Sequence, residues 1–287
     1  GYRDVSSNQL MTTLFGTPFI DLRVDFNSWI PSKLSNKVAE KLINFYLRKF
    51  KSNINLHDKI EFDILYSCYT FDTKKKLNSL KKHNFSQKEV REISESLKKI
   101  NNYAFEELEK EISRIKILVK KQDEMKKSSL DYIAKIYWLI SDCKNYGTYS
   151  FSGLARCAFI STELLNSMVN NNILSLEEKE KFLQSIETIT TEMKKDYSRG
   201  KKNFLTKYGH LRPNTYEISS KNYKEGFSLY FGKNFNKKNK ENRKKFKFTE
   251  QQKNKINYFL KKENLKISVN NFIKFLIKSI QLREFSK

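Results

Sequence analysis

Ser86-Gln87-Lys88-Glu89-Val90-Arg91-Glu92-Ile93-Ser94-Glu95-Ser96-Leu97-Lys98-Lys99-Ile100 is the stretch that decides the fold. Ser86 followed three residues on by Glu89 is a capping box, in which each side chain takes a backbone N–H that the first helical turn leaves unpaired. Beyond it Val90, Ile93, Leu97, Ile100, Phe105, Leu108, Ile112, Ile115 and Val119 recur near helical spacing. The pattern predicts a long helix, interrupted near Asn101-Asn102, whose length calls for an antiparallel partner.

Downstream the signal stays helical. Residues 130–144 are apolar nearly all round, with Ile133, Ile136, Tyr137, Trp138 and Ile140, and predict the most buried helix of the set, broken by Gly147. Residues 151–169 form the next helix, in which Gly153, Ala155 and Ala158 permit close approach and Asn170 to Asn172 end it. Ser175 and Glu178 repeat the capping box ahead of a helix through Ile186 and Ile189 to about Tyr197, and Thr249 and Ser268 cap the last two helices.

Upstream, residues 17–29 alternate, with Ile20, Leu22, Val24 and Phe26 against Asp21, Arg23 and Asp25, the pattern of a half-buried strand. Ile60, Phe62, Ile64 and Tyr66 predict a second strand. Between them Pro31 and Ser35 introduce an amphipathic helix carrying Val38, Leu42, Phe45, Tyr46 and Phe50. A short helix from Asp72 or Thr73 to about Lys82 comes next. The expected class is mainly α, a helical bundle-like domain with a small N-terminal strand-helix-strand element. Residues 1–72 hold that element, 73–205 the helical core, and 206–287 a motif loop, a basic run and the C-terminal helices.

The 287 residues carry a formal charge of +24. A basic surface attracts phosphate polymers, yet only 10 of the 56 basic residues are Arg, a Lys- and Asn-rich bias that weakens the inference to nucleic acid. Residues 233–247 are a Lys/Asn run with Glu241 as their acid, read as a solvated insertion or a phosphate-binding strip. No apolar run approaches the roughly 18 to 20 residues of a membrane span. The reading is a cytoplasmic protein with no membrane partner, and a chain starting Gly1-Tyr2-Arg3-Asp4 without an initiator Met reads as an excised piece. Cys68, Cys143 and Cys157 lack metal or disulfide spacing and are expected to be buried thiols; no metal site is expected.

Where Lys dominates, each Arg is worth inspecting, because its planar fork binds anions bidentately. Arg48, Arg91 and Arg114 stand among charged helix residues. Arg3, Arg23, Arg156 and Arg212 stand in aromatic or small-residue segments, as ligand contacts or as members of internal ion pairs. The run Lys207-Tyr208-Gly209-His210-Leu211-Arg212-Pro213-Asn214-Thr215-Tyr216-Glu217-Ile218 breaks a helix into a polar, aromatic loop. There His210 is a candidate base or a loop histidine, and Arg212, held by Pro213 and Tyr216, is a candidate anion anchor or an internal partner of Asp21, Asp25 or Glu217. His57 and His83 read as polar surface.

The run from Phe204 to Tyr223 resembles the segment that precedes the swivelling phosphohistidine domain in phosphoenolpyruvate synthase-like proteins, including the rifampin phosphotransferase group. Gly1-Tyr2-Arg3-Asp4-Val5, the run from Gly16 to Ser28, Glu61 to Asp72, and Leu154-Ala155-Arg156-Cys157-Ala158-Phe159-Ile160 carry the same resemblance in the same order. It implies a central helical domain that binds a small-molecule acceptor, flanked in the full polypeptide by an ATP-grasp domain and a phosphohistidine domain. ATP and Mg are implied for the whole, with no cofactor in this chain. The chain lacks a Gly-Gly-x-x-Ser-His type of motif and any ATP-grasp segment, so by itself it is not expected to transfer phosphoryl groups. On this resemblance Arg3, Arg23, Arg156, Arg212, Asn27 and Tyr216 are expected to contact the acceptor or the incoming phosphoryl group, with Asp21, Asp25 or His210 orienting an acceptor hydroxyl. Pyruvate, a sugar, a nucleoside and an antibiotic-like polyol all remain open as acceptor. A basic nucleic-acid-binding module and a structural spacer are the competing readings.

Overall fold

Twelve α-helices and one two-stranded antiparallel sheet make up the described residues, 1–213, 219–232 and 245–285, of the computed structural model. The class is mainly α with a small N-terminal strand element.

The strands are β1 (Met11–Leu14) and β2 (Thr17–Ile20), paired from Met11↔Ile20 to Leu14↔Thr17. Phe15 and Gly16 join them with φ of 50° and 76°, the positive values that a two-residue turn of the primed type requires. β2 stops at Ile20 instead of running on to Trp29. The Asp21 carboxylate accepts the N–H groups of Arg23 and Val24 and starts α1 (Leu22–Ser28). Leu22, Phe26 and Ile30 fit helical spacing as well as Ile20, Leu22 and Val24 fit alternation, and in so short a run the cap decides.

α2 (Asn36–Lys51) buries Val38, Leu42, Phe45 and Tyr46, as its amphipathic pattern predicts. The second expected strand is instead a π-helical turn, Ile60–Ile64, closed by Leu65 N–H donating to the Ile60 carbonyl at 3.0 Å. No strand among the described residues lies beside it, so the backbone bonds to itself. Lys49 Nζ completes the turn by donating to the carbonyls of Asp63 and Ile64.

After α3 (Thr73–Asn78), α4 (Gln87–Lys127) begins with both bonds of its capping box. It runs unbroken through Asn101-Asn102, because Asn101 is fully buried and its carboxamide pairs with both backbone groups of Tyr69, each at 2.8 Å. The buried residues of α4 end at Glu111. Its last turns meet α5 (Tyr132–Asp142), which is mostly exposed, against expectation, and buries only Asp142. Its contacts are to α4 and to the turn that follows it, too few to cover a helix apolar nearly all round. Gly147 does not break the chain either. A π-helical stretch, Cys143–Thr148, leads straight into α6 (Tyr149–Asn170). A Cβ at Gly147 would sit 3.2 Å from Leu118, and one at Gly153 would sit 2.8 Å from Glu111, so both glycines let α6 and its approach lie close to α4.

The expected single helix after Ser175 is two, α7 (Leu176–Ser185) and α8 (Ile189–Arg199), separated where Ile186 turns extended. α9 (Lys201–Tyr208), α10 (Phe227–Phe231), α11 (Glu250–Lys262) and α12 (Val269–Phe285) complete the order. Ser175 and Thr249 form full capping boxes, and Ser268 accepts the Asn271 N–H at 3.3 Å. One apolar core, drawn from Phe26 through Leu276, is centred on α2, α4, α6 and α12; Phe204, Tyr208 and Phe227 form a second, small aromatic core. Cys68 and Cys157 are buried, and burial pushes the Cys157 thiol up to about 12. Cys143, expected inside, is exposed just past α5. No helix among the described residues is long and apolar enough to cross a membrane.

Candidate functional site

Residues 65–71, which follow the π-helical turn, form an irregular segment with no strand partner among the described residues. Their backbone must find side chains instead. Tyr46 Oη accepts the Tyr66 N–H at 3.1 Å, Tyr2 Oη donates to the Ser67 carbonyl at 2.7 Å, and Asn101 serves Tyr69 on both sides. Thr73 Oγ1 accepts the Thr70 N–H at 2.6 Å, and Ser167 Oγ accepts that of Phe71 at 3.4 Å. The N-terminal segment, α2, α3, α4 and α6 thus all grip one short segment, which holds its side chains in fixed directions.

Those side chains form one wall of a cleft of about 1010 Å³, whose other walls are α3, the C-terminal half of α6 and the start of α7. Asp72 stands at the N-cap position of α3 but makes no capping bond. Its Oδ1 accepts the Thr70 hydroxyl at 2.6 Å and faces Lys76 Nζ at 3.4 Å, while Oδ2 accepts Asn170 Nδ2 at 2.9 Å. Lys76 reaches Glu163 at 3.4 Å, Glu163 accepts Asn166 Nδ2 at 3.0 Å, and Asn166 Oδ1 accepts Lys179 Nζ at 2.6 Å. A continuous chain of alternating donors and acceptors lines the cleft. Burial works against the Asp72 charge, but the bonds from Thr70 and Asn170 and the charge of Lys76 outweigh it and hold the carboxyl below its ordinary range. Burial likewise works against Lys76, and Glu163 and Asp72 outweigh it, so its ammonium is held above its ordinary value. Lys49, at the rim, is lowered by burial, partly offset by Asp63. Cys68 also lines the cleft, but burial raises its thiol far from the thiolate form a nucleophile needs.

Asp72 is therefore a firmly ionised acceptor and Lys76 a firmly charged donor. Such a set suits hydroxyl groups, which both give and take hydrogen bonds, and Lys75, Lys76 and Lys179 add attraction for an anionic group. Among the described residues no group of three or more His, Cys, Asp or Glu is placed to hold a metal ion.

Those of the residues proposed from sequence that the structure describes lie elsewhere. Arg156 is largely buried beneath Tyr2 and Trp29, its guanidinium 4.5 and 5.0 Å from their ring centres. Burial lowers its pKa against the opposing pull of Tyr2 and Asp25. Asp25, near it on α1, is raised by burial, partly offset by Trp29 and Arg156. Asp21 caps α1, Asn27 donates back to the Arg23 carbonyl, and exposed Arg23 reaches Asn44 at 3.4 Å. Arg3 binds the Leu34 carbonyl and Asn36 Oδ1, at 3.0 and 2.8 Å, and so ties the N-terminus to α2. His210 is exposed, and exposed Arg212 donates to the Ser220 carbonyl beside the small aromatic core. Tyr216 and residues 233–244 of the basic run lie outside the described residues. Arg156 and Asp25 thus come together.

An aromatic bridge joins the Arg156 cluster to the cleft. Trp29 meets Phe159 at 5.8 Å between ring centres, Phe159 meets Phe62 at 5.3 Å, and Phe62 lines the cleft. The cleft residues themselves escaped the sequence reading. Glu163, Asn166 and Asn170 share one face of α6 at helical spacing, a polar stripe on an otherwise apolar helix, and that was the available signal. The chain matches no protein-family model, no curated protein and no solved structure.

Proposed function

We propose that this chain is the acceptor-binding helical domain of an ATP-dependent, phosphohistidine-mediated phosphotransferase, and that its acceptor is a hydroxyl-bearing small molecule carrying an anionic group. The observation that supports the acceptor side is the cleft: Thr70 on the braced segment, Asp72 and Lys76 at the start of α3, Glu163 and Asn166 on α6 and Lys179 on α7 present linked donors and acceptors. The resemblance of the sequence to phosphoenolpyruvate synthase-like proteins supports the donor side. In this reading the ATP-grasp and phosphohistidine domains supply the phosphoryl group.

In the cleft an acceptor hydroxyl would donate to Asp72 and accept from Lys76. Asp72, held well ionised, is a weak base, so it orients the hydroxyl more than it deprotonates it. Its part is then to place an oxygen lone pair toward the arriving phosphoryl group, while lysine ammoniums balance the charge that accumulates there.

The test is calorimetric titration of the chain with sugars, sugar acids and hydroxy acids. Binding of one of these classes that weakens ~10-fold or more in Asp72→Asn and in Lys76→Met supports the proposal, since bonds to charged partners contribute about 1.5–3 kcal/mol each. Arg23→Ala should leave that affinity unchanged. Absence of binding across the panel, or binding indifferent to Asp72 and Lys76, would refute the assignment of the cleft.

A further inference from the structure

α5 is inside out. Tyr132, Ile133, Ile136, Tyr137, Leu139 and Ile140 are exposed, Tyr132 and Ile133 to 85 and 81%, while the side turned to α4 carries Ala134, Ser141 and the buried Asp142. Lys121 of α4 reaches Asp142 at 3.1 Å and lies 5.1 Å from the Tyr146 ring centre, so a polar contact pins the helix with its apolar face outward. Ile117 and Val119 of α4, Leu130 before α5 and Trp138 are exposed as well. Water-facing apolar surface of this kind marks a place that something else covers.

We propose that the α4–α5 finger is a peripheral membrane-docking element that inserts the apolar face of α5 into the headgroup region of an anionic lipid bilayer. Eleven residues are too few to span a bilayer and enough to lie in its interface. Tyr132, Tyr137 and Trp138 combine an apolar ring with a polar atom, the composition that favours the boundary between acyl chains and water. Charge selects the occupant. Residues 116–144 hold seven lysines against four acids, and Lys116, Lys127 and Lys144 are exposed. A second copy would bring the same lysines and a formal charge of +24 against this surface. An anionic headgroup layer attracts both.

This inference does not rest on the proposed phosphotransfer. It is tested by co-sedimentation of the chain with vesicles of phosphatidylcholine alone or mixed with phosphatidylglycerol, with intrinsic fluorescence recorded in parallel. Binding should need phosphatidylglycerol, weaken with salt, and shift the emission of Trp138 to the blue; the shift should be missing in Trp138→Phe. The double variant Ile133→Glu/Ile136→Glu should lose at least ~10-fold in partitioning with an unchanged circular dichroism spectrum, because both side chains are exposed. Neutralising Lys116, Lys127 and Lys144 one at a time should cost ~5-fold each. Absence of binding, binding indifferent to the Ile133/Ile136 change, or concentration-dependent dimerisation abolished by that change would each overturn the proposal, the last in favour of a second copy.

Discussion

Residues 65–72 and the α4–α5 finger are built from materials opposite to their surroundings. The first carries backbone polar groups inward, where Tyr2, Tyr46, Asn101, Ser167 and Thr73 supply partners. The second carries aromatic and aliphatic side chains outward and keeps its Asp and Ser within. Buried polar groups need partners, and α5, with its apolar face to water, is held to α4 in part by the Lys121–Asp142 pair on its other side. Conformation at the cleft is thus over-determined, whereas at the finger it hangs on few contacts. The physics expected of a binding site and of a docking surface differs in the same way: one needs fixed geometry, the other only accessible apolar area.

The largest effect should come from breaking the cleft side. Asn101→Ala leaves the N–H and carbonyl of Tyr69 buried without partners, and equilibrium unfolding in urea should show a loss of about 3 kcal/mol. A loss under about 1 kcal/mol would mean that the segment is not braced as described. Acid should reach the same region through Asp72. Its folded-state pKa lies below its unfolded value, so its ionised form adds stability above the ordinary carboxylate pKa of 3.8, and that contribution disappears as the pH falls through the folded value. Asp72→Asn should therefore be less stable than the parent at neutral pH and converge with it in acid, as followed by thermal melts across the pH range. A gap that widened toward acid would reverse the sign.

Ser86→Ala is a smaller probe, at the other end of α4 from the finger. Removing one half of the capping box should cost about 1 kcal/mol by thermal melting. On the finger itself Ile133→Ser should change stability by less than about 0.5 kcal/mol, since its side chain already faces water. A cost above 2 kcal/mol there would show that α5 is buried in solution and would dissolve the comparison. In the native protein a thiol reagent should modify Cys143 quickly, and Cys68 and Cys157 only on unfolding.

Local chemistry accounts for what could be read in advance. The boxes of Ser86 with Glu89 and Ser175 with Glu178 concern residues three apart, and both formed. The face of α2 followed from its own spacing. Where expectation failed, the deciding partner lay far away in the chain. Alternation at 60–66 resembles a strand, but with no neighbouring strand among the described residues the turn closes on itself and is held by Lys49. Asn101-Asn102 looked like a weak point until Tyr69 supplied the bonds. Apolarity around α5 predicted burial, and no rule of spacing says that a helix lacks neighbours. For the site, Arg156 and Asp25 were legible as candidates and do meet, but the cleft joins Thr70 and Asp72 to Glu163, Asn166 and Lys179. Only packing α3 against α6 and α7 makes them one surface.

The sequence by itself determined the mainly helical class, the capped starts of α4, α7 and α11, and the apolar faces that form the core, because these depend on residues a turn or two apart. Tertiary structure alone decided that residues 65–71 take side chains of distant segments as backbone partners, that a polar cleft opens beside them, and that α5 turns its apolar face to water. Each of those outcomes depends on which groups from distant segments are present to satisfy a backbone or cover a surface, and that is settled only when the helices pack.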